Sequence, residues 1–510
     1  MKKKFFAICT LSLITASVLV TSCNNIINYI VDPTKTSTNV YDKNLDLTNN
    51  TNPYSQGKDY FYNVINSYSQ ATPSTGNIKL LVVPVAFKDK SYTNKYGNDE
   101  TIKSNLEDVF FSDSNSYWES VASFYTKSSY GQLNFSGEVT DVYTTKYSLD
   151  SYLRYSDAGD ATNNICDEIY STLDSATIDE YDTNGDGVID CMWFVYLYPY
   201  NSSKDFLWAY TYWNTLSTSA AIGNYSWASY EFIIRSTLSK TYYDDAHTFI
   251  HETGHQLGLE DYYSYDDYQT NRSPVGGLDM MDCNILDHSA MTKYNLGWAN
   301  PTVINSEGTY TLKPFESSGD CLILASNFSG TCFDEYFIIE YYTPTGLNEL
   351  DSTTRYKSSA YPLGFTESGL KISHVDQRLG KINIDISTSN YTYTWDNKYY
   401  SVVTPNVPTT VKPYYYTYVN SNTESRCRAT SRWALVELVQ ASGSTNLMTH
   451  YTKGSYANYA KNSDLFTISS NIFGQDIYSS YISNEGWKLP YKVEITSQDS
   501  SQIVLKVSKI

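Results

Sequence analysis

The sequence predicts an α+β fold: a mixed helix–strand half ending near residue 302, then a β-rich half made of one or two β-sandwich modules. Three observations carry this. Up to "KYNLGWANP", apolar β-type runs alternate with segments whose apolar residues recur at helical spacing. Beyond it, short alternating or apolar runs are separated by turn residues. The composition, with 51 Tyr and long runs of Ser, Thr and Asn, favours pleated strands and turns over long helices.

The elements follow in order. "MKKKFFAICTLSLITASVLVTSC" has a lysine cluster, an apolar run and then small residues, the architecture of a secretory signal over residues 1–22. Its ending, "VTSC", resembles a bacterial lipoprotein signal. That resemblance implies a lipidated Cys23 and a tether to the outer face of a bacterial membrane. Residues 23–74 are polar and lack apolar periodicity, so they read as a tether or a short pro-segment. A domain over 75–302 starts with the buried-strand run "NIKLLVVPVAFKD". Helical spacing follows in "TIKSNLEDVFF" and "SYWESVASFYTKSSYGQ", strand alternation in "QLNFSGEVTDVYTT", a helix over 160–180 and a strand at "VIDCMWFVYLYP". Residues 303–510 carry the β runs "GTYTLKPF", "CLILASNF", "EYFIIEYY", "GLKISHVD", "WALVELVQ" and "YKVEITSQDSSQIVLKVSKI".

Charge and cysteine content narrow the class. A formal net charge of -19 argues against a nucleic-acid partner and suits a soluble extracellular protein, expected as a monomer. Of the 8 cysteines, Cys9 leaves with the signal and Cys23 carries the anchor. Cys166, Cys191, Cys283, Cys321, Cys332 and Cys427 remain, and Cys321 with Cys332, flanking a plausible hairpin, is the best candidate for a disulfide. No CxxC spacing exists, which disfavours a cysteine zinc site.

The segment richest in chemistry is "HETGHQLGLED", residues 251–261. Asp244 or Asp245 can cap a helix running through Leu257, with Ala246, Phe249, Ile250 and Leu257 as its core stripe. His251 and His255 then lie one turn apart on one face, the spacing at which two imidazoles share a zinc ion. Gly258 can end the helix in the left-handed conformation and let the chain bring Asp261 to the same ion. Three protein ligands leave a position for water, and Glu252 beside them is placed to act as general base and acid. Glu260, Asp282 and His288 are rival third ligands, and His247 reads first as a satisfied helix histidine.

A second loop, "DTNGDGVID", alternates oxygen ligands as a calcium site does. Asp182, Asn184, Asp186 and Asp190 offer side chains, Val188 its carbonyl, and Gly187 the sharp bend. Trp193 at the twelfth position, in place of glutamate, rules out an EF-hand.

"HETGHQLGLED" followed by "GGLDMMDCN" resembles a metzincin-type zinc peptidase, with Met281 matching the methionine of the turn beneath the metal. More narrowly, "LLVVPVAFKD", "FYTKSSYGQLNFSGEV", "YDTNGDGVIDCMWFVY", the histidine helix, "LDMMDCN", "KYNLGW", "EYFIIEYY" and "GLKISHVD" resemble the immune inhibitor A family of secreted bacterial metallopeptidases. They span roughly residues 77–376, and the resemblance implies an endopeptidase with one catalytic zinc, structural calcium and β-rich C-terminal modules. Leu278 stands where the family often has tryptophan. The expectation is thus an extracellular, lipid-anchored zinc endopeptidase acting on proteins or peptides. The rival is an adhesin-like surface lipoprotein whose zinc and calcium are only structural.

Overall fold

The computed structural model describes residues 71–510, apart from 114–116, 156–157, 186, 202–205, 214–221, 237–241, 265–272, 327, 329, 358–360, 386–389, 396–397, 404–413, 418, 421–423, 426–433, 449–457 and 485. Residues 1–22, expected to be a signal, and Cys23, Asp186 and Cys427 lie outside the described residues.

The first half is built on one sheet. Strands β1 (Gly76–Ala86), β2 (Leu133–Val139), β3 (Met192–Tyr196), β4 (Tyr210–Trp213) and β5 (Asn224–Ser229) lie in the order β2-β1-β3-β5-β4. All neighbours are parallel except β4, which runs antiparallel along β5 at the edge. A parallel sheet is covered on both faces, so its strands read as continuous apolar runs. The period-2 alternation decides the faces: Ile78, Leu80 and Val82 of β1 join one core, while Leu81, Val83 and Val85 join another. The first core holds helices α1 (Asp99–Phe111), α2 (Val121–Ser128) and α4 (His247–Gln256); the second holds α3 (Ala158–Tyr170). The helix expected over 160–180 is two: after α3, Asp174 accepts the backbone N–H of Thr177 and starts a new one, Ser175–Tyr181.

The β runs of the second half are found where alternation placed them. Strands β7 (Cys321–Leu324), β8 (Glu335–Tyr342), β9 (Gly369–Asp376) and β10 (Val436–Leu438) form an antiparallel set, with Thr302–Val303 added in parallel beside β7. A second sheet joins β6 (Gly308–Leu312), β12 (Ile503–Lys509) and β11 (Tyr491–Gln498). A further antiparallel sheet comprises Leu379–Asp385, Asn390–Trp395, Lys398–Val403 and Tyr414–Thr417.

Strand β8 is buried along its whole length because both of its faces are covered. On one face, Glu340 accepts the N–H of Ala290, the first residue of α5 (Ala290–Asn295), and Tyr336 meets the ring of Tyr294. On the other, Phe337 packs on Phe473, and the Tyr341 hydroxyl reaches the carbonyl of Asp499 between β11 and β12. The larger C-terminal sheet is therefore a middle layer, and one core runs across residue 302 from β1 to β12.

One expectation is corrected. Cys321 and Cys332 are free, buried thiols. The residue opposite Cys321 in the β7–β8 pairing is Glu340, so the hairpin does not bring Cys332 across from it. Residues 71–74, at the end of the expected tether or short pro-segment, are packed: Thr72 donates its backbone N–H to the Gln256 carbonyl, and the Ser74 carbonyl accepts from the Trp298 indole.

Candidate metal centre

Every residue of α4 is buried, an unusual state for a helix carrying His, Glu, Thr and Gln. Polar contacts to the sheet explain it. Gln256 bonds the Met192 carbonyl and Ser226, Thr253 accepts the Trp193 indole N–H, and the Tyr125 hydroxyl donates to the Ile250 carbonyl. Asp245 accepts the N–H of His247 at 3.0 Å, so it serves the helix start from one residue before the Ala246 cap position. Gly258, at φ +90°, ends the helix as expected and turns the chain back.

That turn brings Asp261 to the two histidines. Its Oδ1 lies 2.9 Å from His251 Nε2 and 3.3 Å from His255 Nε2. One ligand atom from each of the three falls within 4.8 Å of the others, and all three are buried. Ligand atoms held about 2.0–2.2 Å from one zinc ion in a tetrahedron lie roughly 3.2–3.6 Å apart; the 3.3 Å separation lies in that range and the 2.9 Å one just below it, so the group could hold a metal ion with small side-chain shifts. The imidazoles are already set for it. His251 Nδ1 sits 2.7 Å from the Met280 carbonyl and His255 Nδ1 2.8 Å from the Leu259 carbonyl. A carbonyl can only accept, so each Nδ1 carries a proton, and Nε2 is the nitrogen each ring turns toward Asp261. Burial alone would push the Asp261 carboxyl up, but the His255 and His251 imidazoles beside it hold it well below the usual carboxylate range.

Glu252 is buried next to this group, and burial pushes its carboxyl up against the opposing pull of His255 and His251. Its Oε2 accepts from the Thr211 hydroxyl at 3.0 Å. Thr211 stands on β4, the edge strand, and was not legible in the sequence because only the sheet brings it to α4.

The turn Met280–Cys283 lies under the helix. Asp279 caps it, accepting the N–H of Met281 at 2.9 Å. A Cβ on Gly254 would stand 2.6 Å from Met281 Sδ, so the sulfur occupies the space a side chain would need. The Met281 carbonyl accepts the Tyr262 N–H and ties the turn to the segment after Asp261.

The rival ligands are placed elsewhere. Asp282 accepts the N–H of Gly277, and burial pushes its carboxyl up to about 7. His288 is enclosed by the rings of Phe124, Tyr125 and Trp298. Glu260 is not among the converging ligand atoms. Tyr262, a candidate oxyanion donor by position, turns its buried hydroxyl to Thr292 at 2.6 Å.

The loop 182–190 is wound around its own carboxylates. Asp182 accepts the N–H groups of Gly185 and Gly187, and Asp190 accepts from Thr183 N–H and the Asn184 amide. Asp190 N–H closes the loop on the Tyr181 carbonyl, and strand β3 follows. Val188 is buried within it.

No protein-family model and no curated protein sequence matches the chain. Among the described residues, no helix is long and apolar enough to cross a membrane.

Proposed function

We propose that the protein is an extracellular, lipid-anchored zinc endopeptidase, similar to the immune inhibitor A family of secreted bacterial metallopeptidases. The observation that carries this reading is the convergence of His251, His255 and Asp261, both Nδ1 atoms spent on carbonyls, beside a buried Glu252. Zinc held by those three side chains would supply Lewis acidity, bringing the pKa of water to about 7 and polarising a carbonyl. Glu252 takes the proton of the attacking water and returns it to the leaving amine. Thr211 orients that carboxylate through its hydroxyl. Met281 supports the helix from below, against Gly254.

A Glu252→Ala variant should retain its zinc by elemental analysis and lose proteolysis of an unfolded protein substrate by at least about 10²-fold. Wild-type activity in that variant overturns the assignment.

Asp182, Asn184, Asp186, Val188 and Asp190 would hold a structural calcium ion. With zinc kept saturating, a calcium-selective chelator should lower the melting temperature by about 1–2 °C, the shift that a loss of about 1–2 kcal/mol gives on a chain of this size. An unchanged melting temperature removes calcium from the description.

A further inference from the structure

His247 opens α4 one turn before His251, and its ring is 0% exposed. Its Nδ1 lies 2.7 Å from Asp245 Oδ1, and its Nε2 lies 3.5 Å from Asp351 Oδ2. The ring is stacked between Trp118, at 4.3 Å and 19°, and Tyr356, at 4.5 Å and 28°. A carboxylate at each nitrogen and an aromatic face on each side is an environment for an imidazolium cation. Burial by itself would push the imidazole down, but Asp245 and Asp351 raise it to about 9.

Asp351 comes from the C-terminal half, and the same Oδ2 also accepts the N–H of Leu286 at 2.7 Å. Leu286 has φ +68° and Asn284 φ +57°. A leucine rarely adopts that conformation unless its surroundings hold it there. These residues form the exit of the Met280–Cys283 turn, whose Met280 carbonyl fixes the His251 ring and whose Met281 sulfur lies against Gly254. One carboxylate oxygen thus lies at ion-pair distance from the start of the ligand helix and is hydrogen-bonded to the exit of the methionine turn. A histidine needed only to fill the core would be satisfied by Asp245 alone.

We propose that His247 is a positioning residue for the metal centre, linking the ligand helix to the methionine turn through Asp351 of the C-terminal half. The proposal rests on the metal-centre reading above, and the test separates the two.

The full chain is loaded with cobalt(II) as the probe, and the wild type is compared with His247→Gln and Asp351→Asn. Asp351→Asn leaves the aromatic stack and the Leu286 acceptor in place, so it tests the link even where His247→Gln fails to fold. The expected result is a shift in the cobalt d–d bands and about a tenfold weaker cobalt affinity in each folded variant, the low end of what outer-sphere partners contribute. Folded variants with wild-type spectrum and affinity overturn the link and leave His247 as core packing. A wild type that takes up no cobalt overturns the metal centre itself.

Discussion

Two of the buried clusters that join histidine to carboxylate among the described residues do opposite things. In the first, His251 and His255 each give Nδ1–H to a backbone carbonyl and aim Nε2 at one shared carboxylate, Asp261. In the second, His374 on β9 has Glu437 at 3.0 Å from Nδ1 and Glu335 at 2.9 Å from Nε2, with the Tyr481 hydroxyl at 2.9 Å from the same Nε2. Burial opposes charge on His374, but Glu335 and Glu437 outweigh it and push the imidazole up to about 10. Glu335 moves the other way: burial would raise it, and His374 and Arg378 hold it lowered. What the backbone does with Nδ1 separates them. A carbonyl at Nδ1 takes one proton and leaves Nε2 as the nitrogen that could serve a metal; a carboxylate at each nitrogen favours a cation with no lone pair for one. "SHVD" is a histidine–carboxylate motif by sequence, yet Asp376 forms a bidentate pair with Arg378, and the cluster is an ionic lock in the middle layer.

That contrast can be broken most decisively by single removals. His255→Ala or Asp261→Asn should abolish both bound zinc and proteolysis, a loss beyond the roughly 10–100-fold that outer partners contribute. His374→Ala should leave zinc stoichiometry intact but destabilise the fold by about 3–5 kcal/mol, because two carboxylates lose their buried cation. Zinc lost from the His374 variant while it stays folded would erase the distinction, and metal analysis beside thermal melts reads both.

Raising the pH sharpens the same contrast. His247 and His374 have folded pKa values raised to about 9 and about 10 from an ordinary 6.5. Their stabilisation is therefore complete below about 6.5 and is lost as pH rises through 9 and then 10. Unfolding free energies from denaturant melts should fall across that window by an amount on the order of a few kcal/mol, and less in a His374→Gln background. A flat profile would mean that neither ring is a cation in the folded protein.

The smallest expected effect lies at Gly254. Alanine is worth about 1 kcal/mol more than glycine inside a helix, yet here its Cβ would meet Met281 Sδ at 2.6 Å. Gly254→Ala should lower stability by about 1–2 kcal/mol and weaken zinc retention. A gain in melting temperature would mean the methionine turn yields freely.

Much of this was legible in residues. "EYFIIEYY" and "GLKISHVD" coincide with β8 and β9, because apolar β-type runs bounded by turn residues are a local signal. The helix of the "HETGH" segment and its stop at Gly258 follow from 3.6-residue spacing and one glycine's freedom at positive φ. The helix at 160–180 was over-extended because Asp174 serves as a new N-cap, which helical spacing does not reveal. Thr211, Asp351 and the Glu335–His374–Glu437 lock were not readable, since each joins residues brought together by sheet order or by the packing of one half on the other.

By itself, the chain's order of residues determined that His251, Glu252, His255 and Asp261 could meet at one point, because all four lie within one helix and the turn after it. Local geometry suffices where partners are a few residues apart. Only the tertiary structure decided which nitrogen of each histidine carries a proton, that Cys321 does not face Cys332, and that the C-terminal sheet is a middle layer braced on the first half. Those outcomes depend on groups distant in sequence whose contacts form only when the common core closes.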